Sequence, residues 1–195
     1  MEPPRKRLER LVIVDLECTC WQGGPKYGQE MEVIEIGICT LDLATRTPTP
    51  AAQIFVRPER STLNEFCTQL TGITQAQADA GLHFKDACAK LVREYETHER
   101  VWVSYGDFDR RQFERQCRAR NVAYPFGRTH WNVKNLFAIL YGLAKEPELD
   151  VALEMLGLKF EGRQHCGRDD AHNIARLTAE LLKRWNPAAA LPAKA

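Results

Sequence analysis

Hydrophobic and polar positions along the chain switch between a period of two and a period near 3.6, and the switches mark its elements. Leu11 to Leu16 is a nearly unbroken apolar run, the pattern of a strand covered on both faces. A stretch bearing glycine and proline, residues 21–28, punctuates the chain after it. Residues 32–42, with Val33, Ile34, Ile36, Ile38 and Leu41, predict a second strand. Ala52 to Arg57 predicts a third, stopped by Pro58 and joined to the second as a hairpin through the turn region 45–50. The pattern then becomes helical. Ser61 or Thr62 stands where a cap is needed for a helix over 63–70, with Glu65 completing a capping box and Gly72 ending it. Thr74 caps a further short segment. Phe84, Ala87, Cys88, Leu91, Val92 and Tyr95 form one stripe of a helix over 84–96.

Val101 to Tyr105 predicts a fourth strand, which leads through Gly106-Asp107-Phe108-Asp109 into a basic helix with Phe113 and Cys117 on its inner side. A short extended piece near Trp131 precedes helices over 133–141, 149–156 and 170–185, the last with Ile174, Ala175, Thr178, Leu181, Leu182 and Trp185 facing inward. Three strands before the first helix exclude a pure β/α alternation. The expected fold is α/β: a mixed, roughly five-stranded sheet with an antiparallel hairpin edge, layered by helices.

Length and composition sharpen this picture only at the margins. The chain of 195 residues, 44% hydrophobic and 27% charged, suits one domain of ordinary globular type. Residues 11–186 are expected to form that domain, between a polar flexible leader (1–10) and a flexible tail (187–195). The net charge of +1 supplies no global field for a polyanion, so any nucleic-acid contact must come from local patches or from metal masking acids. Seven cysteines, an odd number without a CxxC pair, fit reduced thiols and a cytoplasmic location. No apolar run is long enough to span a membrane, and the leader lacks the apolar core of a signal peptide. No feature predicts self-association, and a monomer is expected.

The chemistry concentrates in three places. Asp15 and Glu17 are two residues apart at the end of the first predicted strand, so both project from one face. Paired carboxylates on one face either meet solvent or share a hard divalent cation. Asp107 and Asp109 lie where the fourth strand gives way to a helix, a position where ligand sites collect in α/β sheets and where an Asp can equally serve as a helix cap. Lastly, His165 precedes Asp170 by five residues in a glycine-flanked loop that opens the last helix. Singly each has an ordinary explanation: a wet strand end, a cap, a solvated histidine. Jointly they form a signature.

In this order the motifs resemble the DnaQ-like exonucleases of the DEDDh type, a branch of the ribonuclease H-like fold. Within it the resemblance is closest to the Eri-type 3′–5′ exonucleases, the histone-mRNA 3′ exonuclease group. It is carried by Val14-Asp15-Leu16-Glu17-Cys18-Thr19-Cys20, by Glu65-Phe66-Cys67-Thr68-Gln69-Leu70-Thr71-Gly72-Ile73-Thr74-Gln75, by Gly106-Asp107-Phe108-Asp109, and by Gly162-Arg163-Gln164-His165 running into Asp169-Asp170 and Asn173-Ile174-Ala175. Cys18 departs from the Ala usual in such relatives. The resemblance implies a three-layer α/β/α domain in which Asp15, Glu17, Asp109 and Asp170 hold two Mg2+ or Mn2+ ions and His165 acts as general base. An imidazole with an unperturbed pKa near ~6.5 suits that work at neutral pH. It also implies that Phe66, Leu70, Phe108 and Thr19 contact the terminal nucleotide, and that the partner is a single-stranded 3′ end, RNA rather than DNA. Choosing Asp109 over Asp107 rests on the resemblance. Arg110, Arg111, Arg115, Arg118 and Arg120 either track a phosphate backbone or form a solvated helix face.

Other readings make different demands. A DNA-directed or proofreading exonuclease would share the mechanism. A non-catalytic nucleic-acid-binding module would tolerate loss of a site residue, yet all five are present. A thiol-rich metal or redox protein would need CxxC spacing, which is missing.

Overall fold

The computed structural model describes residues 7–24 and 27–184. The chain opens with β1 (Arg7–Cys18), β2 (Val33–Asp42), β3 (Thr47–Pro48) and β4 (Ala52–Phe55). Three helices follow, α1 (Glu65–Thr71), α2 (Gln75–Asp79) and α3 (Phe84–Tyr95). Then come β5 (Arg100–Ser104), α4 (Phe108–Arg120), β6 (His130–Asn132), α5 (Val133–Leu140), α6 (Leu149–Met155) and α7 (Gly167–Arg184). The six strands form one sheet in the order β3-β2-β1-β5-β6, with β4 also paired to β2. β1 is antiparallel to β2 and parallel to β5, and β6 is parallel to β5. The expectation of a mixed sheet is met, with the two-residue β3 added inside what reads as a turn.

Side-chain alternation along β1 divides the core. Leu11 and Ile13 point into a layer built with Phe137, Leu153, Ile174 and Leu177 from α5, α6 and α7. Val12, Val14 and Leu16 point the other way, into a layer with Phe84, Trp102, Phe113 and Phe126. Since Asp15 and Glu17 share parity with Leu11 and Ile13, they lie on the face that α7 covers. A smaller cluster of Ile34, Cys67, Ile73 and Ala78 seats α1 and α2. No helix among the described residues is long and apolar enough to cross a membrane.

Several boundaries move. β1 begins at Arg7, so Arg7 to Arg10 belong to the sheet rather than to a flexible leader. Arg7 pairs in register with Arg100, its N–H donates to Glu99 O (2.9 Å), and its guanidinium meets Glu9 and Glu96. Residues 8–10 are exposed there, so no apolar pattern betrays the strand. α1 is capped by Asn64, whose side chain accepts from Cys67 N–H at 2.8 Å. The Thr62–Glu65 box is not made, because the helix begins at Glu65, two residues later than the pattern predicts. Gly72 does end α1, with φ 74°. Thr74 caps α2 in a full capping box with Gln77. α7 starts at Gly167, three residues ahead of expectation, which puts Asp170 inside its first turn. Leader residues 1–6, the tail and Trp185 lie outside the described residues.

Candidate active site

Three elements bring their acids to one cleft of about 480 Å³. Asp15 and Glu17 reach it from β1, Asp109 from the first turn of α4, Asp170 from the first turn of α7, and His165 from the loop before α7. The pairing of β1 with β5 ends at Ile13 and Val103, while β1 runs on to Cys18. The opening lies at the carboxyl ends of these two parallel strands, where a ligand site is expected. Leu16 N–H, freed on that side, donates to Asp109 Oδ1 at 3.0 Å. Asp107, by contrast, is half-buried and pairs with Arg110 (3.0 Å) without a capping bond. Asp109 is therefore the acid of this pair that belongs to the cleft.

Carboxylate oxygens of Asp15, Glu17 and Asp170 lie within 4.8 Å of one another. Asp109 is outside that trio but lines the same cleft. Burial penalises ionisation at each position, and repulsion from neighbouring acids adds to it at Asp15, Glu17 and Asp170. Asp15 is held well above the usual carboxylate range, by burial first and then by Asp109, Asp170 and Glu17. Glu17 is raised to about 8 by burial together with Asp170, Glu35 and Asp109, with Arg163 acting against the rise. Asp109 and Asp170 are each raised to about 7, chiefly by burial. Asp170 Oδ2 accepts Cys166 N–H at 3.1 Å, fixing the His165 loop to the start of α7. His165 lines the cleft from an exposed, left-handed position (φ 59°).

The expected nucleotide contacts divide. Leu70 and Phe108 line the cleft, Phe108 half-exposed. Phe66 stands one helical turn before Leu70 on α1, exposed and outside the lining. Thr19 departs from its expected role. It is fully buried, its hydroxyl donates to Glu30 O (3.2 Å) and accepts from Glu32 N–H (2.9 Å), and its own N–H binds Glu32 O. It closes the neck of the loop between β1 and β2, with its hydroxyl and N–H both engaged within the fold. The basic face of α4 is also divided. Arg120 is nearly buried against Glu30 and Glu32, Arg115 donates to Met31 O, and Arg110 pairs with Asp107. These arginines brace the fold instead of forming one phosphate track.

Two residues went unassigned from sequence. Glu35, directly across the ladder from Glu17, is fully buried, and its Oε1 accepts Arg168 N–H at 2.9 Å. Its other carboxylate oxygen is buried without a hydrogen-bond partner. A lone charge inside Val33-Ile34-Glu35-Ile36 was its available signal. The second is Arg163, in the His165 loop, whose guanidinium reaches the carbonyls at the end of α1.

A sequence profile for exonucleases, RNase_T, matches residues 12–178. The chain belongs to this exonuclease family. It is 33% identical over 183 residues to 3′-5′ exoribonuclease 1 of Homo sapiens, covering 89% of this chain and 52% of that protein. It is 29% identical over 197 residues to ERI1 exoribonuclease 2 of Mus musculus, covering 89% of this chain and 28% of that protein. The chain thus spans about half, or less, of the length of these relatives. Among solved structures, the nuclease domain of 3′hExo, a DEDDh family member bound to rAMP, superposes with a TM-score of 0.81 at 31% identity, covering 90% of this chain and 92% of that one. Escherichia coli exonuclease I with a dT13 oligonucleotide shares the fold, with a TM-score of 0.69 at 13% identity, covering 93% and 42%. The architecture is that of the ribonuclease H-like DEDDh nuclease domains, whose family is divalent-metal dependent.

Proposed function

We propose that this chain is a 3′–5′ exonuclease that hydrolyses phosphodiester bonds at single-stranded 3′ ends, RNA in preference to DNA, and releases nucleoside 5′-monophosphates. The observation that carries the reading is the convergence of Asp15, Glu17, Asp109, Asp170 and His165, from three elements and one loop, on a single cleft. The preference for RNA is supported by the relatives' names and by the 3′hExo domain with rAMP.

The donors fit hard divalent cations: every one is a carboxylate oxygen, and burial, joined by neighbouring acids at Asp15, Glu17 and Asp170, raises all four pKa values. Asp15, Glu17 and Asp170 would hold such an ion, with Asp109 completing the set for a second. Two Mg2+ or Mn2+ ions bound there would supply Lewis acidity for the attacking water and neutralise charge on the phosphate. His165 takes the proton of the attacking water, and its exposure lets the ring pass that proton to solvent. Asp170 holds the His165 loop through Cys166 N–H, so one carboxylate serves both ion and base. Leu70 and Phe108 offer apolar surface to the terminal base, a sequence-tolerant contact worth about 1–3 kcal/mol. Free thiols at all seven cysteines support a reducing, cytoplasmic setting.

The test uses 5′-labelled RNA and DNA oligomers with Mg2+, Mn2+ or EDTA. A metal-dependent ladder shortening from the 3′ end, faster on RNA and lost in Asp15→Asn, is expected. No metal-dependent cleavage of either polymer overturns the reading, and faster cleavage of DNA overturns the preference.

A further inference from the structure

The loop carrying His165 is strung between two walls of the cleft. On one side, Arg163 Nη2 donates to the carbonyl oxygens of Gln69 (2.8 Å) and Leu70 (2.9 Å), in the last turn of α1. On the other, Gln164 Nε2 donates to Asp150 Oδ2 on α6 (3.1 Å). Beneath, Arg163 N–H is fixed by Asp169 Oδ2 (2.9 Å) and Cys166 N–H by Asp170 Oδ2 (3.1 Å). The backbone between these anchors includes left-handed residues at Gly162 (φ 88°) and His165 (φ 59°). A non-glycine residue keeps such a conformation only where its surroundings impose it.

The contact with α1 is fitted on both sides. The last carbonyls of a helix lack intrahelical donors and carry the negative end of its dipole, so a guanidinium suits them. Gly72, just past α1, gives that guanidinium its room. A Cβ built at Gly72 would lie 1.6 Å from Arg163 Nη1. The Leu-Thr-Gly end of α1 and the Gly-Arg-Gln-His loop, 91 positions apart between Gly72 and Arg163, therefore act as one device. Leu70, whose carbonyl Arg163 holds, also lines the cleft beside His165.

We propose that Arg163 is a positioning residue: through α1 it couples occupation of the Leu70 wall by the terminal base to the placement of His165. The inference rests on the exonuclease reading and deepens it. A base seated against Leu70 steadies α1, and Arg163 transmits that order to the loop from which His165 works. A lysine does not reproduce the contact, because its ammonium, on a flexible stem, has no second arm to lie against Gly72 while one nitrogen meets both carbonyls.

The test compares RNA oligomers ending in an ordinary nucleotide with oligomers ending in an abasic ribose, for wild type, Arg163→Ala, Arg163→Lys, Leu70→Ala and the Leu70→Ala/Arg163→Ala double variant. Wild type is expected to turn over the ordinary end with higher kcat. Arg163→Ala should lose about 10-fold or more in kcat, since small misplacements of a catalytic group are costly, with KM within about 3-fold. Its kcat ratio between ordinary and abasic ends should fall toward one, and Leu70→Ala should have little further effect on kcat in that background. Arg163→Lys should behave similarly while melting close to wild type, which keeps the test open if Arg163→Ala fails to fold. A kcat ratio unchanged in either folded Arg163 variant, additive effects in the double variant, or a wild-type kcat indifferent to the terminal base overturns the coupling alone. Absence of any 3′ shortening by wild type overturns the exonuclease reading, and the coupling with it.

Discussion

Replacing Asp109 by Asn should make the metal-free protein more stable while destroying its activity. The Asp109 carboxyl is 4% exposed and raised from 3.8 to about 7, by burial before all else. An acid held above its unfolded value binds its proton more tightly in the native state. Its ionisation therefore subtracts stability as pH rises from about 4 to about 7, with the full loss above that range. At ~1.4 kcal/mol per pH unit the loss approaches ~4 kcal/mol. This is a ceiling, because protonating any one of the four neighbouring acids relieves the others. Asn keeps an oxygen to accept Leu16 N–H. Asn thus removes the charge without orphaning the strand. Thermal melts in EDTA should show Asp109→Asn about 5–10 °C above wild type at pH 8, since each kcal/mol is worth about 2–4 °C in a domain of this size. The two proteins should melt together near pH 4. Saturating Mn2+ should reverse the order, because a ligand at 100 times its Kd adds ~2.7 kcal/mol to the protein that binds it well. A variant that melts at or below wild type at pH 8 in EDTA would falsify the claim that this charge burdens the fold.

The remaining perturbations separate chemistry from scaffold. His165→Ala should lower turnover by about 10²–10⁴-fold yet leave calorimetric Mn2+ binding close to wild type; lost metal binding would assign His165 a different role. Gly37→Ala places a Cβ 1.8 Å from Gly167 O, a backbone atom that cannot swing away. The start of α7 must shift, costing ~1–3 kcal/mol in denaturant melts and most of the activity, whereas a silent variant would mean that α7 is not seated on β2 as described. Phe113→Ala empties a fully buried site packed on Phe84 and edge-on to Phe126 at 4.9 Å. A loss of about 3–5 kcal/mol in urea melts is expected, and a loss below ~1 kcal/mol would contradict that packing.

What the sequence made legible follows from how locally each feature is determined. β1, β2 and β5 are buried on both faces, so apolar runs reveal them, and the stripe of α3 reveals its buried side. Asp15, Glu17, Asp109, Asp170 and His165 could be proposed because each sits at a junction that local pattern marks. Contacts made far along the chain were illegible. Arg7 to Arg10 join the sheet through partners near Glu96 and Arg100. Glu35 and Gly37 matter because α7, some 130 positions later, lands on them. Thr19 stands inside a motif that reads as functional, and only its partners Glu30 and Glu32 show the hydroxyl to be spent on the fold. Asn64 supplanted the expected cap because α1 begins two residues later than the local pattern predicts.

The division of the core into two layers gives the cleft a further property. Asp15, Glu17 and Asp170 belong to the face covered by α7, whereas Asp109 arrives on α4, whose Phe113 and Cys117 are buried in the opposite layer. Three of the four acids are thus mounted on one side of the sheet and the fourth on the other, and the set is incomplete until both layers have closed. A chain with one layer formed holds no complete set of these acids. In the proposed exonuclease the fold is in this sense its own safety catch, because a complete site requires both layers.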